Sequence, residues 1–249
     1  VGLGGRLDST NVLTPALSVL TTIDLDHTDL LGDTLGEIAR EKAGIIKPQI
    51  PVLSGVTKNE ARTVIADVAA EQTAPLHELR DDVSWCASED DLTGSTIDVE
   101  TPLRRYEDLR VSVPGPHQQA NAALALRAAE LAVPAVQDRP EPAYEGLNDV
   151  HGHTGFRGRI EVLQEEPLIV IDVAHNPPGI AAGLSTVAPT VNERGGTLYV
   201  CLNAVRGKGL PEVADLLAEH GAHVIPIPID TKRAIPPKEI ADTLRSHGV

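Results

Sequence analysis

Short apolar runs alternate with amphipathic stretches along most of the 249-residue chain. Residues 18–25 (SVLTTIDL) are rich in β-branched and aliphatic side chains, which predicts a largely buried strand. Thr34 and Glu37 have the spacing of a capping box, so a helix is predicted from there to Gly44, its expected stop. The next predicted elements are a strand at 51–56 and a helix at 59–70. This β-α-β order predicts a parallel sheet.

The middle of the chain, residues 81–113, has a different pattern. Strand-like pieces at 95–99 and 109–113 lie among charged residues, which predicts a β insert. Residues 115–132 carry a face of small side chains and predict a closely packed helix. The Pro-rich stretch 134–142 is expected to be irregular.

Strands and helices alternate regularly again from residue 155 onward. The predicted strands are 168–172, 197–202 and 223–229, and the predicted helices are 179–187, 211–220 and 237–246. Alternation at this spacing is typical of a second doubly wound sheet. The predicted domains are therefore residues 1–154 and 155–249.

Composition narrows the class of protein. Hydrophobic residues make up 41% of the chain and aromatic residues only 2%, so the core must be aliphatic. The net charge of −15 argues against a broad nucleic-acid surface, although backbone N–H groups can still bind phosphate locally. We therefore expect no nucleic-acid partner. The acidity fits either an ordinary acidic cytosolic protein or adaptation to high salt.

Other sequence features bear on location and completeness. No apolar run approaches 20 residues and no signal-peptide pattern is present, which predicts a cytoplasmic protein without membrane association. Cys86 and Cys201 are widely separated and are expected to be buried or incidental thiols. A monomer is the default expectation. The chain has no methionine and begins at Val1 within what resembles a motif, so we expect an internal fragment of a longer protein.

The first candidate functional residues lie near the predicted strand 18–25. Asp26 and His27 follow it, where ligands of parallel sheets collect, so His27 is either a metal or phosphate contact or a residue capping the next turn. Lys42 lies near the end of the following helix, where a lysine can also simply complement the helix dipole. The stretch VGLGGRLDSTN, residues 1–11, is Gly-rich but fails the dinucleotide fingerprint at Leu7. No Walker A motif is present in the chain.

The second group of candidates lies further along the chain. His117, Gln118 and Asn121 open the predicted helix and can either read a purine edge or cap the helix. Arg159 stands beside a glycine at the domain junction, where it is a phosphate clamp or a solvated charge.

Another pair of candidates follows the predicted strand 168–172. Asp172 ends that strand and His175 comes three positions later, at the edge of a sheet where ligands bind. This position favours a functional role for both residues over a structural one.

Taken together, these strings resemble the folylpolyglutamate synthase and dihydrofolate synthase family of the Mur ligase superfamily. The matching strings, in the family's order, are GLGGRLDSTN, DHTDLLGDTLGEIAREKAGIIKP, GPHQQANAALA, GRIEV and DVAHNP. The resemblance implies an α/β fold: the remainder of a P-loop-type central domain, with a parallel sheet, helices and a β insert, followed by a smaller Rossmann-like C-terminal domain. It also implies an ATP-dependent amide ligase that joins L-glutamate to a folate or dihydropteroate carboxylate through an acyl phosphate, with ATP and Mg²⁺ as cofactors.

The resemblance also assigns roles to individual residues. In the first domain it implies a magnesium ligand, a carbamylated catalytic lysine, an ATP contact and a pterin-substrate loop: His27, Lys42, Asn121, and Leu7 with Asp8 and Ser9. In the second domain it implies two ATP contacts, Arg159 and Asp172. His175 lies where the incoming glutamate is expected and is the second predicted catalytic residue.

Departures from the family pattern leave alternatives open. The family's phosphate-binding loop and its glutamate metal ligand would lie before Val1, so we expect this chain alone to be inactive and its full-length parent to be the enzyme. One alternative is a non-catalytic paralogue or binding module that keeps the fold. A peptidoglycan-type Mur ligase is another, although the EKAGI and GLGGRLD strings favour the folate branch. The acceptor, dihydropteroate or tetrahydrofolate, stays open.

Overall fold

The computed structural model describes residues 4–25 and 31–249. By their contacts the described residues form two compact units. The N-terminal unit takes in the described part of Val1–Ser88 together with Thr96–Arg110 and Gln119–Asp149. The C-terminal unit takes in Glu89–Ser95, Val111–Gln118 and Val150–Val249. The domain bounds 1–154 and 155–249 stay a prediction.

A parallel three-stranded sheet organises the N-terminal unit. Its strands, in sheet order, are β1 (Ser18–Leu20), β2 (Val52–Ser54) and β3 (Leu76–Glu78). Helices α1 (Leu35–Ala43) and α2 (Asn59–Glu71) pack against it over a buried aliphatic core that includes Ile38, Val52 and Ile65. The parallel sheet was predicted, but β1 is shorter than the apolar run 18–25. The pairing of β1 with β2 ends at Leu20 and Ser54. The next residue, Gly55, still donates its N–H to the Leu20 carbonyl at 2.8 Å.

Helix α1 begins with the predicted capping box. The Glu37 N–H donates to Thr34 Oγ1, and the Thr34 N–H donates to Glu37 Oε2, both at 3.2 Å. The helix ends before Gly44 as predicted, but Gly44 has a right-handed backbone with φ −60°. Close packing explains why a glycine is needed here, because an added Cβ would lie 2.4 Å from Arg6 Cβ.

The β insert is confirmed as a sheet of three consecutive strands: β4 (Ser84–Asp91), β5 (Gly94–Glu100) and β6 (Arg105–Val111). Two residues join β4 to β5, a connection that only antiparallel strands allow. Short helix α3 (Leu79–Asp82) precedes the insert, and the long helix α4 (Pro116–Ala132) follows it.

A buried polar network connects α4 with its surroundings inside the N-terminal unit. Arg127 donates to Asp82 Oδ2 at 3.0 Å and to Glu130 Oε2 at 3.2 Å. Glu130 Oε1 also accepts from Thr101 Oγ1 at 2.8 Å and from the Tyr106 hydroxyl at 3.0 Å. Burial and the nearby Glu130 carboxylate raise the pKa of Tyr106. Every charge in this network therefore has a partner.

The prediction that residues 134–142 are irregular is wrong. The chain there forms α5 (Pro134–Asp138) and α6 (Glu141–Asn148), and α7 (Val150–Thr154) follows. Pro134 and Pro142 lie in the first turns of α5 and α6. A proline is tolerated there because the first N–H groups of a helix have no intrahelical acceptor.

The C-terminal unit contains two pairs of strands. Strands β7 (Glu161–Glu165) and β8 (Leu168–Ile171) are antiparallel, whereas β9 (Tyr199–Leu202) and β10 (His223–Pro226) are parallel. Helices α8 (Pro177–Glu193), α9 (Leu210–Glu219) and α10 (Pro237–Ser246) contribute to one aliphatic cluster. The last three strands and these helices match predicted elements, whereas β7 was not predicted. Within the described residues, no helix is both long and apolar enough to span a bilayer.

Candidate ligand-binding residues of the two units

The Gly-rich loop packs directly on the last turn of α1. The Arg6 N–H donates to the Glu41 carbonyl at 3.0 Å. A Cβ added to Gly5 would lie 2.7 Å from the Glu41 carbonyl oxygen and 2.8 Å from that of Lys42. Only glycine allows this approach of two backbones. The loop and the helix end that carries Lys42 are thus in direct contact.

The three residues predicted to contact a pterin lie on this loop. Asp8 caps a 3-10 turn, Ser9–Val12, by accepting from the Thr10 N–H at 2.9 Å and the Thr10 hydroxyl at 2.6 Å. Ser9 is exposed, and 81% of the Leu7 surface is accessible. Asp8 therefore shapes the turn, while Leu7 presents apolar surface that a ligand could cover.

Lys42 is half-buried in the last turn of α1. Its ammonium forms no hydrogen bond or ion pair with any residue that the structure describes. The predicted metal ligand His27 lies outside the described residues. Elsewhere, the described ranges contain no group of three His, Cys, Asp or Glu side chains that could hold a metal ion. Asn121 is exposed in the second turn of α4.

In the C-terminal unit, Asp172 joins two loops at the carboxyl end of β8. Its Oδ2 accepts from the Ile160 N–H at 2.9 Å, and its Oδ1 accepts from the Ala174 N–H at 2.7 Å. The register pairs Glu161 with Ile171, so the start of β7 lies beside the end of β8. The loop that carries Arg159 and the loop that carries His175 are thereby held together.

The backbone on either side of Arg159 has an unusual conformation. Gly158 and Ile160 both have positive φ, +71° and +50°. A left-handed conformation is strained for a β-branched residue such as Ile160, and such strain clusters at functional sites. The buried Ile160 side chain and the bond to Asp172 hold it in place.

Arg159 lies over the ring of Phe156, with 4.7 Å between Cζ and the ring centroid. The neighbouring Arg157 has a different role, since it forms an ion pair with Glu161. That bond, together with the Gly158 N–H, lowers the pKa of Glu161. The two arginines of the loop are therefore distinct: Arg157 pairs within the loop, and Arg159 does not.

His117, at the start of α4, is affected by the charges of Arg159 and Asp172. Partial burial lowers its pKa, and the charge of Arg159 lowers it too, while Asp172 acts in the opposite direction. The Gln118 amide donates to His117 Nε2 at 3.1 Å, so the neutral ring carries its proton on Nδ1. The sequence pattern placed His117 only at a helix start; its approach to Arg159 and Asp172 depends on tertiary structure.

His175 is exposed in the loop after β8. Its Nδ1–H donates to the Val173 carbonyl at 3.1 Å, which leaves the Nε2 lone pair for another partner. Asn176 caps the next helix, because its Oδ1 accepts from the Gly179 N–H at 3.1 Å. His117 thus lies within electrostatic reach of Arg159 and Asp172, and His175 lies on the loop that Asp172 joins to the Arg159 loop.

Comparisons with known proteins show which proteins this chain resembles. Residues 158–249 match the family described as Mur ligase, glutamate ligase domain. The chain is 40% identical over 193 residues to a dihydrofolate synthase/folylpolyglutamate synthase of Bacillus subtilis, covering 78% of this chain and 44% of the relative. It is 36% identical over 242 residues to the folylpolyglutamate synthase of Lacticaseibacillus casei, covering 95% of this chain and 54% of the relative. The chain is thus similar over most of its length to folylpolyglutamate and dihydrofolate synthases.

Solved members of the folylpolyglutamate synthase family have the same fold. The Mycobacterium tuberculosis enzyme, complexed with ADP and AMPPCP, superposes with a TM-score of 0.87 at 26% identity, covering 99% of this chain and 55% of that chain. The chain spans about half the length of the curated relatives it matches. The predicted α/β fold of this family is confirmed, whereas the roles of the individual residues stay predictions.

Proposed function

We propose that the protein is an ATP-dependent ligase that adds L-glutamate to the carboxylate of a folate or dihydropteroate through an acyl phosphate. The observation that carries the proposal is that Asp172, at the carboxyl end of β8, bonds the backbone next to Arg159 and the backbone of the His175 loop. Ligands of α/β sheets bind at such an edge. These residues all lie in the segment similar to the glutamate ligase domain.

The charges of these residues suit the chemistry. Transfer of a phosphoryl group concentrates negative charge, which a guanidinium such as Arg159 can neutralise with its planar set of donors. Each carboxylate oxygen of Asp172 already accepts one backbone N–H and can accept one more donor, such as a nucleotide hydroxyl. Asn121 is proposed as a further nucleotide contact. The Nε2 lone pair of His175 is proposed to face the incoming amine of glutamate.

The first unit would bind the acceptor. We assign the exposed Leu7, with Asp8 and Ser9, to the pterin-bearing substrate. The Lys42 amine, which has no partner among the described residues, is available to react with CO₂ and form a carbamate with loss of one proton. Magnesium is the expected metal and His27 its expected ligand, but the described residues do not complete a metal site.

The proposed reaction also defines the partners and the location that we assign to the protein. ATP, L-glutamate and a pterin acceptor are the small-molecule partners that we assign. We assign no nucleic acid and no membrane, and we propose a monomer in the cytoplasm.

The test is an assay of the product of the complete reading frame that encodes this chain. We expect ADP release that requires both L-glutamate and either dihydropteroate or tetrahydrofolate. Arg159→Met should lower this rate by roughly 10²-fold, because it removes donors from developing charge. Arg194→Met is the matched control and should leave the rate unchanged, because this exposed guanidinium bonds only the Glu165 carbonyl among the described residues. ADP release that ignores glutamate, or no release with either acceptor, would contradict the proposal.

A further inference from the structure

Phe156 is the one phenylalanine in a chain that has only one tryptophan and three tyrosines besides. It is not used for the core, since 47% of its surface is exposed. Its ring instead lies under the Arg159 guanidinium, at 4.7 Å. This distance is well inside the range of a cation–π contact. A rare aromatic residue is therefore placed on the surface, against a charged side chain.

Arg159 has no hydrogen-bond or ion-pair partner among the residues that the structure describes. Other arginines of the chain, such as Arg62 and Arg206, are bound by two carboxylate oxygens each. A guanidinium stacked on a ring keeps its in-plane N–H donors free. The contact with the ring thus holds Arg159 in position and leaves its N–H donors available to a phosphate.

The backbone supports the same orientation. The Gly158 N–H donates to Glu161 Oε2 at 2.9 Å, and the Ile160 N–H donates to Asp172 Oδ2 at 2.9 Å. These bonds fix the main chain on both sides of Arg159. They do not involve the guanidinium itself, for which the ring of Phe156 is the contact observed among the described residues.

We propose that Phe156 is a positioning residue, whose ring face orients the Arg159 guanidinium toward the phosphates of a bound nucleotide. The inference rests on the proposed function, because it needs a nucleotide at Arg159. Its chemical content is specific: an aromatic face is required, and apolar bulk alone is insufficient. Phe156 acts through Arg159 and makes no contact with the nucleotide itself.

Binding of AMPPCP, measured by titration calorimetry on the product of the complete reading frame, tests this inference. Phe156→Leu keeps the apolar bulk and should weaken binding roughly threefold to tenfold, the loss expected for one cation–π contact. Phe156→Trp keeps the ring face and should bind like the parent. In an Arg159→Met background, Phe156→Leu should cause no further loss, because the coupling partner is gone.

Each other outcome counts against the inference. Equal binding by the parent and Phe156→Leu would refute it. A loss that persists in the Arg159→Met background would mean that the ring contacts the nucleotide directly, which also refutes it. A parent that fails to bind AMPPCP would overturn the proposed function itself, and this inference with it.

A second measurement covers the case in which a variant fails to fold. The Arg159 side-chain methylene protons of the parent should show upfield ring-current shifts in its NMR spectrum. Random-coil shifts for these protons would show that the stack is absent in solution and would refute the inference without any variant.

Discussion

Asp172 exerts its structural effect through main-chain amides. Both of its carboxylate oxygens accept backbone N–H groups, from Ile160 on one loop and from Ala174 on the other. The bond to Ile160 also holds a strained left-handed conformation. The residue that we propose as a nucleotide contact therefore also sets the position of its neighbours.

Asp172→Asn should loosen both loops. The amide group can replace only one of the two acceptor oxygens, so one backbone N–H would lose its partner. We expect a loss of about 0.5–1.5 kcal/mol in local stability, the range for a typical hydrogen bond, because Asp172 is exposed to water. Amide hydrogen exchange at Ile160 and Ala174 should become faster.

Asp230→Asn is the matched control for this change, because Asp230 is exposed and has no partner among the described residues. It should leave exchange at both loop amides unchanged. Equal exchange rates in Asp172→Asn and the parent would show that these bonds do not hold the loops.

At the scale of elements, α4 is fixed by charge as well as by apolar packing. Glu130 accepts from Thr101, Tyr106 and Arg127, and only 1% of its side chain is exposed. The network reaches the β insert through Thr101 and Tyr106, and it reaches α3 through Asp82. One carboxylate thus connects three elements of the N-terminal unit.

Glu130→Ala should destabilise the N-terminal unit by about 3–5 kcal/mol, because it leaves a buried arginine with one partner fewer and a buried hydroxyl with none. Urea unfolding followed by the fluorescence of Trp85, the single tryptophan, on β4, measures this loss. Glu71→Ala, at an exposed glutamate ending α2, should change stability by less than about 0.5 kcal/mol. Similar losses in both variants would contradict the role of the network.

The elements differ in how well the sequence predicted them. The capping box at Thr34, the β-α-β order and the long helix α4 were correct, because each depends on local pattern. The helices between 134 and 154 were missed because proline was taken for a breaker where it begins a helix. Strand β7 was missed because GRIEV was treated only as a chemical motif. The approach of His117 to Arg159 could not be predicted, since it depends on tertiary contacts that no spacing encodes.

At the scale of the whole molecule, negative charge dominates. The chain has 36 acidic residues against 21 Lys and Arg, for a net charge of −15. Self-repulsion of this kind opposes the compact state, and salt screens it. Salt sensitivity therefore separates adaptation to high salt from ordinary acidity.

We expect the melting temperature to rise by about 2–4 °C between 0.1 and 1 M KCl, which corresponds to a gain on the order of 1 kcal/mol. Circular dichroism melts measure the shift. Sorbitol at equal osmolality is the control, since it changes water activity without screening charge. A melting temperature that is unchanged by KCl, or raised equally by sorbitol, would argue against repulsion as the cause.

The tight seam between the Gly-rich loop and the end of α1 has a practical consequence for protein engineering. Gly5 and Gly44 leave no room for even one methyl group, so a side chain at either position would push the loop and the helix end apart. Libraries that test the proposed acceptor contact should therefore vary the outward side chains of the loop, such as Leu7, and spare both glycines. Substituting either glycine would displace the loop relative to the helix end, and a change in selectivity could then not be assigned to the varied side chains.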